Sequence, residues 1–177
     1  PGFDYTQQGA YFLTICTFER ECLFGDIVDG EMQLSPLGEI VHDEWVRTPS
    51  IRPEVAIDDF VIMPNHFHAI VWISGVGAHG VHPPGRDQDH SPREEGARRA
   101  PLPAIIRAPR SLGSLVAGFK AAVTRRINDA RDTPGAPVWQ RNCYERIVRD
   151  EPELDRVRRY IRDNPARWAE DPENQSP

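Results

Sequence analysis

Hydrophobic and polar positions follow two periods along this chain, and the points where one gives way to the other mark the elements. Ala10–Phe18 (AYFLTICTF) is a run of aromatic and β-branched residues that predicts a buried first strand. Asp26–Val28 and Glu31–Leu34 flank Asp29-Gly30, a dipeptide suited to the positive φ values of a type I′ hairpin turn. Ser35-Pro36 predicts an N-cap followed by proline at the first helical position. Leu37, Ile40, Val41 and Trp45 then share one helical stripe until Thr48-Pro49 ends it. Val55–Ile73 is the most strand-like stretch, and Pro64-Asn65 divides it into two neighbouring antiparallel strands. In Ser111–Asn128 the stripe returns as Leu112, Leu115, Val116, Phe119, Val123 and Ile127, and Pro134-Gly135 closes that helical region. Val138–Val148 predicts a strand, and Asp150 with Pro152 opens a last helix reaching about Asn164. This order of strand, hairpin, helix, two strands, helix, strand and helix predicts an α+β fold: an antiparallel sheet with helices packed on it, in a split β-α-β arrangement.

Residues 74–110 break the pattern. Gly, Pro, Arg and His predominate, no apolar period survives, and the composition is that of a flexible insertion within a domain rather than a linker between two. His79, His82 and His90 lie there, with nothing to fix a coordination geometry around them. At 177 residues and 39% hydrophobic content, the chain can bury one core, so a single domain over 1–177 is expected. No stretch approaches the roughly 18 apolar residues of a membrane span, nor does a basic region followed by an apolar core open the sequence. A soluble, cytoplasmic protein is the expectation. Cys16, Cys22 and Cys143 form an odd set without CxxC spacing, which indicates neither a disulfide framework nor a cysteine zinc site.

The net charge of -6 speaks at first against a nucleic-acid partner, but its distribution is uneven. Residues 1–60 hold twelve acids and three bases, whereas 86–131 hold ten Lys/Arg and five Asp/Glu. A basic face on an acidic body is compatible with these numbers. Lys120, Arg125 and Arg126 lie off the apolar stripe of their helix, and Arg141, Arg149, Arg159 and Arg162 follow near the carboxyl end. Trp139 and Tyr144 offer aromatic faces on which bases could stack. The competing account places the aromatics in the core and pairs the arginines with neighbouring acids.

Two features carry chemistry. In Pro64-Asn65-His66-Phe67-His68 the histidines are two apart on a predicted strand, so both imidazoles project from one face while Phe67 enters the other. That is a pair of metal ligands still lacking a third oxygen or nitrogen donor, and an isolated HxH is more often structural. The second feature is Tyr160 and Asn164, one turn apart on the last helix beside the stripe of Leu154, Val157 and Ile161. A tyrosine nucleophile and an amide ligand could there meet one metal, although Pro165 leaves the direction of Asn164 open.

The segments PNHFH, YFLTICTFERECLFGDI, SLGSLVAGFKAAVTRRIN and VWQRNCYERIVRD…YIRDNP together resemble the REP-associated tyrosine transposases, relatives of the single-tyrosine insertion-sequence transposases. The resemblance covers nearly all of the chain apart from 74–110, and its motifs occur in the right order. Cys143 departs from it, standing where an aromatic is expected beside Tyr144. It implies the HUH nuclease fold, with His66 and His68 as the His-hydrophobic-His pair, Tyr160 as nucleophile and Asn164 as third metal ligand. It further implies Mg²⁺ or Mn²⁺ as cofactor, single-stranded or hairpin DNA as partner, a monomer, and nicking and joining through a covalent 5′-phosphotyrosine. A catalytically silent nucleic-acid-binding module and a metal-dependent phosphodiester hydrolase using water are the alternatives.

Overall fold

The structure, a computed structural model, describes residues 9–74 and 111–174. The insertion expected at about 74–110, with His79, His82 and His90, lies beyond residue 74 outside the described residues. The elements are β1 (Gly9–Cys16), β2 (Gly25–Val28), β3 (Glu31–Leu34), α1 (Pro36–Val46), the short α2 (Thr48–Ile51), β4 (Val55–Met63), β5 (His66–Ile73), α3 (Leu112–Arg131), β6 (Tyr144–Val148) and α4 (Glu151–Asp163). Two 3₁₀ turns, Phe18–Arg20 and Pro165–Glu170, are additions to the expected order.

Local signals set most of these boundaries. Asp29 and Gly30 take φ of 52° and 80°, as a type I′ turn requires, so β2 and β3 pair in register across them. Ser35 Oγ accepts from the backbone N–H groups of Leu37 and Gly38, capping α1 ahead of Pro36. Gly38 is needed for another reason: a Cβ there would stand 2.2 Å from the Phe24 carbonyl oxygen, where α1 crosses the chain entering β2. Ser111 and Asp150 cap α3 and α4 in the same manner, through Ser114 N–H and Glu153 N–H.

Four strands form one antiparallel sheet in the order β4-β5-β1-β6, and β2-β3 is a separate hairpin. Taken with α1 and α3, the sheet strands give the expected split β-α-β arrangement of an α+β fold. The expected strand Val138–Val148 is shorter than its pattern implied. Only Tyr144–Val148 is paired as β6, while Trp139 makes an isolated bridge to Thr17 and Gln140 N–H donates to the Cys16 carbonyl. Val138 and Trp139 are apolar because they enter the core, not because they alternate on a strand.

Alternation along β1 and β5 divides the interior into two layers. Tyr11, Leu13, Ile15, Phe67, Ala69 and Val71 face α1 and α3, where Trp45, Leu115, Phe119 and Val123 complete the larger core. Phe67 packs at ring-centroid distances of 4.9 Å from Trp45 and 5.5 Å from Phe119. Ala10, Phe12 and Ile70 face the other way, under Leu154, Val157 and Ile161 of α4. His66 and His68 share the face that α4 covers, since they pair with Cys16 and Thr14 on the same side as Phe12.

A β-bulge fixes α4 on that face. Between Ile57 and Phe60 the pairing of β4 with β5 slips, so Asp58 and Asp59 occupy the space of one residue and both reach α4. Arg158 donates to Asp58 from Nε at 3.0 Å and from a terminal nitrogen at 2.7 Å, a bidentate pair that Trp72 Nε1–H supplements at 2.9 Å. One turn further on, Arg162 Nε meets Asp59 at 2.7 Å.

These bonds hold the Asp58 carboxyl at a pKa of about 2, below its ordinary 3.8, with the Arg158 hydrogen bonds as the leading cause. A depressed carboxyl pKa stabilises the fold fully above the unfolded value, and the contribution is lost as pH falls through about 2. Asp58→Asn should therefore lower the urea midpoint at pH 7 and abolish part of its decline between pH 4 and 2. Equal midpoint shifts for wild type and variant across that window would rule out the linkage.

Candidate active site

His66 and His68 lie at the start of β5, just past the turn at Pro64-Asn65, and both are almost fully buried. Each ring is oriented through Nδ1. His66 Nδ1 lies 2.9 Å from Asn65 Oδ1, and the Asn65 amide is itself held by donation of Nδ2 to the Glu173 carbonyl. Because Oδ1 only accepts, Nδ1 carries the proton, and the Nε2 lone pair of His66 points inward. His68 Nδ1 lies 2.9 Å from Thr14 Oγ1, while its Nε2 lies 3.2 Å from the hydroxyl of Tyr160. The hydroxyl donates there if Nδ1–H donates to Thr14, a network that assigns both imidazoles the same tautomer.

Burial disfavours the imidazolium form of both rings. It is the leading cause that takes the His66 pKa down to about 2, helped by neighbouring His68 and Arg20. For His68 burial takes the pKa down to about 4 against the opposing pull of Asp171. Both are therefore neutral near pH 7, the form in which imidazole ligates metals.

The residues after α4 complete the pocket. Asn164 caps the helix, and Pro165 turns the chain into a 3₁₀ segment that carries Trp168 and Asp171 back over β5. The Trp168 and His66 ring centroids are 5.9 Å apart. Asp171 is buried, its Oδ2 accepting from Asn164 Nδ2 at 2.9 Å and standing 4.0 Å from His66 Nε2. With His66 neutral this is not an ion pair but a carboxylate beside an imidazole lone pair. His66, His68 and Asp171 offer ligand atoms within 4.8 Å of one another.

Two lone-pair atoms here, His66 Nε2 and Asn164 Oδ1, are buried without a well-formed hydrogen bond among the described residues. An unsatisfied buried acceptor costs about 1–3 kcal/mol, and two of them beside a carboxylate form a cavity that favours a cation. Two neutral nitrogens, a carboxylate and an amide oxygen are donors that suit a divalent ion. The residues present thus fit a bound metal.

The sequence placed His66, His68, Tyr160 and Asn164 near one another, and the structure brings all four together. It adds Asp171 and Trp168, which sequence reasoning missed because they follow Pro165 in an aperiodic segment. Tyr160 is 41% exposed at the rim. Burial raises the pKa of its phenol, Asp171 adds to the rise, and Asn164 and Arg167 oppose it.

The expected DNA-contacting residues divide differently. Trp139 is 7% exposed and packs on Phe24 and Phe119, so its face is closed to a base; this corrects the expectation. Arg126 is partly exposed but already paired, bonding Glu44 at 2.8 Å and Asp43 at 3.1 Å to tie α3 to α1. Arg162 holds Asp59. Lys120 Nζ reaches the carbonyls of Gln140 and Arg141, which closes one side of a cleft of about 660 Å³ bordered also by Arg125 and Arg141. Arg149 and Arg159 are exposed, along with Tyr144.

No family model matches the chain. An uncharacterized protein of Haemophilus influenzae is 37% identical over 180 residues, spanning 96% of this chain and 87% of its own. Among solved structures, a REP-associated tyrosine transposase bound to a REP hairpin superposes with a TM-score of 0.58 at 16% identity, over 95% of this chain and 73% of that one. The fold implied by the sequence resemblance is therefore the fold observed.

If the buried donors hold a metal, Mn²⁺ should bind at millimolar or tighter affinity in calorimetry, and His66→Ala should abolish binding with the circular dichroism spectrum retained. Thr14→Val, which removes only the partner of His68 Nδ1, should weaken it about 10–100-fold. Unchanged Mn²⁺ affinity in His66→Ala would place any metal elsewhere.

Proposed function

We propose, for a chain that belongs to one family with the Haemophilus influenzae protein and has the fold of a REP-associated tyrosine transposase, a metal-dependent nicking and joining activity on single-stranded DNA. The observation that carries this reading is the placement of the Tyr160 hydroxyl 3.2 Å from His68 Nε2, at the open edge of a buried set of metal donors. The solved relative of this fold is bound to a REP hairpin, which favours hairpin or palindromic DNA as the substrate class here.

In the reaction, the Tyr160 phenol oxygen attacks a backbone phosphorus, a tyrosyl O–P bond forms and the P–O3′ bond breaks. The products are a 5′-phosphotyrosine and a 3′-hydroxyl, and reversal by another 3′-hydroxyl joins new ends. Bond energy is kept in the ester, so no nucleotide cofactor is required. An ordinary phenol titrates near 10, and burial raises Tyr160 further, so its proton must be taken as the bond forms. Without a metal ion, the hydroxyl meets His68 Nε2, which accepts its hydrogen bond. Thr14 keeps that nitrogen free of its own proton by receiving the one on Nδ1. A bound divalent ion, Mg²⁺ or Mn²⁺, would supply charge neutralisation at a non-bridging phosphate oxygen. His66, His68, Asp171 and Asn164 would hold it. One lone pair on His68 cannot serve the phenol and a metal ion together, so with a metal ion held by His68 the phenol proton would pass by another route, ending on the departing 3′ oxygen as its hydroxyl.

Tyr160→Phe removes one hydroxyl from a partly exposed ring, and should leave folding and DNA binding nearly intact while eliminating the covalent protein–DNA adduct formed on hairpin DNA in Mn²⁺. The adduct is scored by gel shift under denaturing conditions. If Tyr160→Phe still forms it and Tyr144→Phe does not, the nucleophile is Tyr144.

A further inference from the structure

Beside Tyr160, on the side away from the metal donors, a groove of about 320 Å³ runs between β6 and α4, lined by Phe12, Tyr144, Arg146, Arg156, Val157 and Tyr160. Phe12 is its floor, 8% exposed, and the two tyrosines stand edge-on to that ring at 6.5 Å for Tyr144 and 6.0 Å for Tyr160. Tyr144 is the first residue of β6, paired with Thr14, the residue that orients His68. It is nevertheless 56% exposed, and β6 is an edge strand of the sheet that the described residues form. An aromatic ring left open beside an apolar floor is costly to hydrate unless a ligand covers it.

We propose that this groove is a nucleotide subsite, in which one nucleobase of a single strand stacks on Tyr144 while Arg146 and Arg156 hold the phosphates flanking it. The proposal deepens the DNA reading above and rests on it. Arg156 has no ion pair among the described residues, and Arg146 is half-exposed with a single partner, Glu153, at 3.3 Å. Cations at the rim and a flat aromatic wall over an apolar floor are the parts from which sequence-tolerant single-strand sites are built. Continuity with Tyr160 sets the role: a base seated here places the neighbouring phosphodiester at the tyrosine hydroxyl, so Tyr144 is a positioning residue and not a nucleophile.

The test uses the full chain carrying Tyr160→Phe, so that no adduct forms, and two fluorescein-labelled oligomers: single-stranded dT12 and a 12-mer of the same backbone with every base removed. Anisotropy titrations should show Tyr144→Ala losing about tenfold or more in affinity for dT12 and nothing for the abasic oligomer, with Tyr144→Trp restoring the loss. Arg146→Gln and Arg156→Gln should weaken both oligomers. Equal affinity of Tyr144→Ala and its parent for dT12, an equal loss on the abasic oligomer, or no binding of dT12 by the parent would each overturn the subsite. Adduct formation by the unaltered chain is scored separately, so a base-dependent loss at Tyr144 without any adduct would retire the nicking chemistry and leave the subsite standing.

Discussion

The site exists only where α4 lies in one register on the sheet, and two forces of different character set that register. Leu154, Val157 and Ile161 bury an apolar strip against Phe12 and Ile70, which holds the helix on the face but, being non-directional, does not stop it sliding. The bidentate Arg158–Asp58 hydrogen bonds supply the direction, with the Arg162–Asp59 ion pair beside them. Tyr160 sits between those two arginines in sequence, so the clamps on either side locate its hydroxyl over His68 across 92 residues of chain. Without the bulge in β4, Asp58 and Asp59 would point to opposite faces, and one clamp would be lost. An irregularity in an edge strand thus positions a side chain on a distant helix.

The interior of the site runs against the usual rule that buried polar groups find partners. Several side-chain atoms among the described residues lack one, and two of these, the indole nitrogens of Trp45 and Trp139, are donors within the large core. His66 Nε2 and Asn164 Oδ1 differ in being electron-pair donors gathered beside a buried carboxylate. The surroundings hold both rings by Nδ1 and leave His66 Nε2 unsatisfied while His68 Nε2 meets only the Tyr160 hydroxyl, so the chain tolerates a local loss of stability around a gathered set of lone pairs. The same burial keeps the imidazoles neutral.

Hydrophobic period alone disclosed nearly all of the regular elements, since capping serines, the Asp29-Gly30 turn and Pro64-Asn65 all act locally. The histidine pair was legible for the same reason: two residues apart on a strand means one face, whatever the tertiary structure. Asp171 and Trp168 were not, because a 3₁₀ segment after Pro165 has no period to read and its return over β5 is fixed by contacts with Asn65 and Asn164. Trp139 misled because an apolar residue near a strand looks the same whether it alternates or plugs a core. Arg126 and Arg162 were read as free cations since their acids lie 83 and 103 positions away and no local spacing links them.

Those long-range pairs also resolve the objection raised by a net charge of -6. Net charge sums over the whole surface, whereas screening limits an exposed charge to about 8 Å at physiological ionic strength. Much of the acidity near the site is already answered: Asp58 by Arg158, Asp59 by Arg162 and Glu153 by Arg146. Asp171 is buried beside His66 and not turned to solvent. What the rim would then offer the proposed strand is set by Arg156 and Arg159, which make no ion pair among the described residues, beside two open tyrosine rings. Under the proposed function an acidic protein binds a polyanion there because Asp58, Asp59 and Glu153 are engaged in holding α4, and that helix carries the exposed guanidiniums of Arg156 and Arg159.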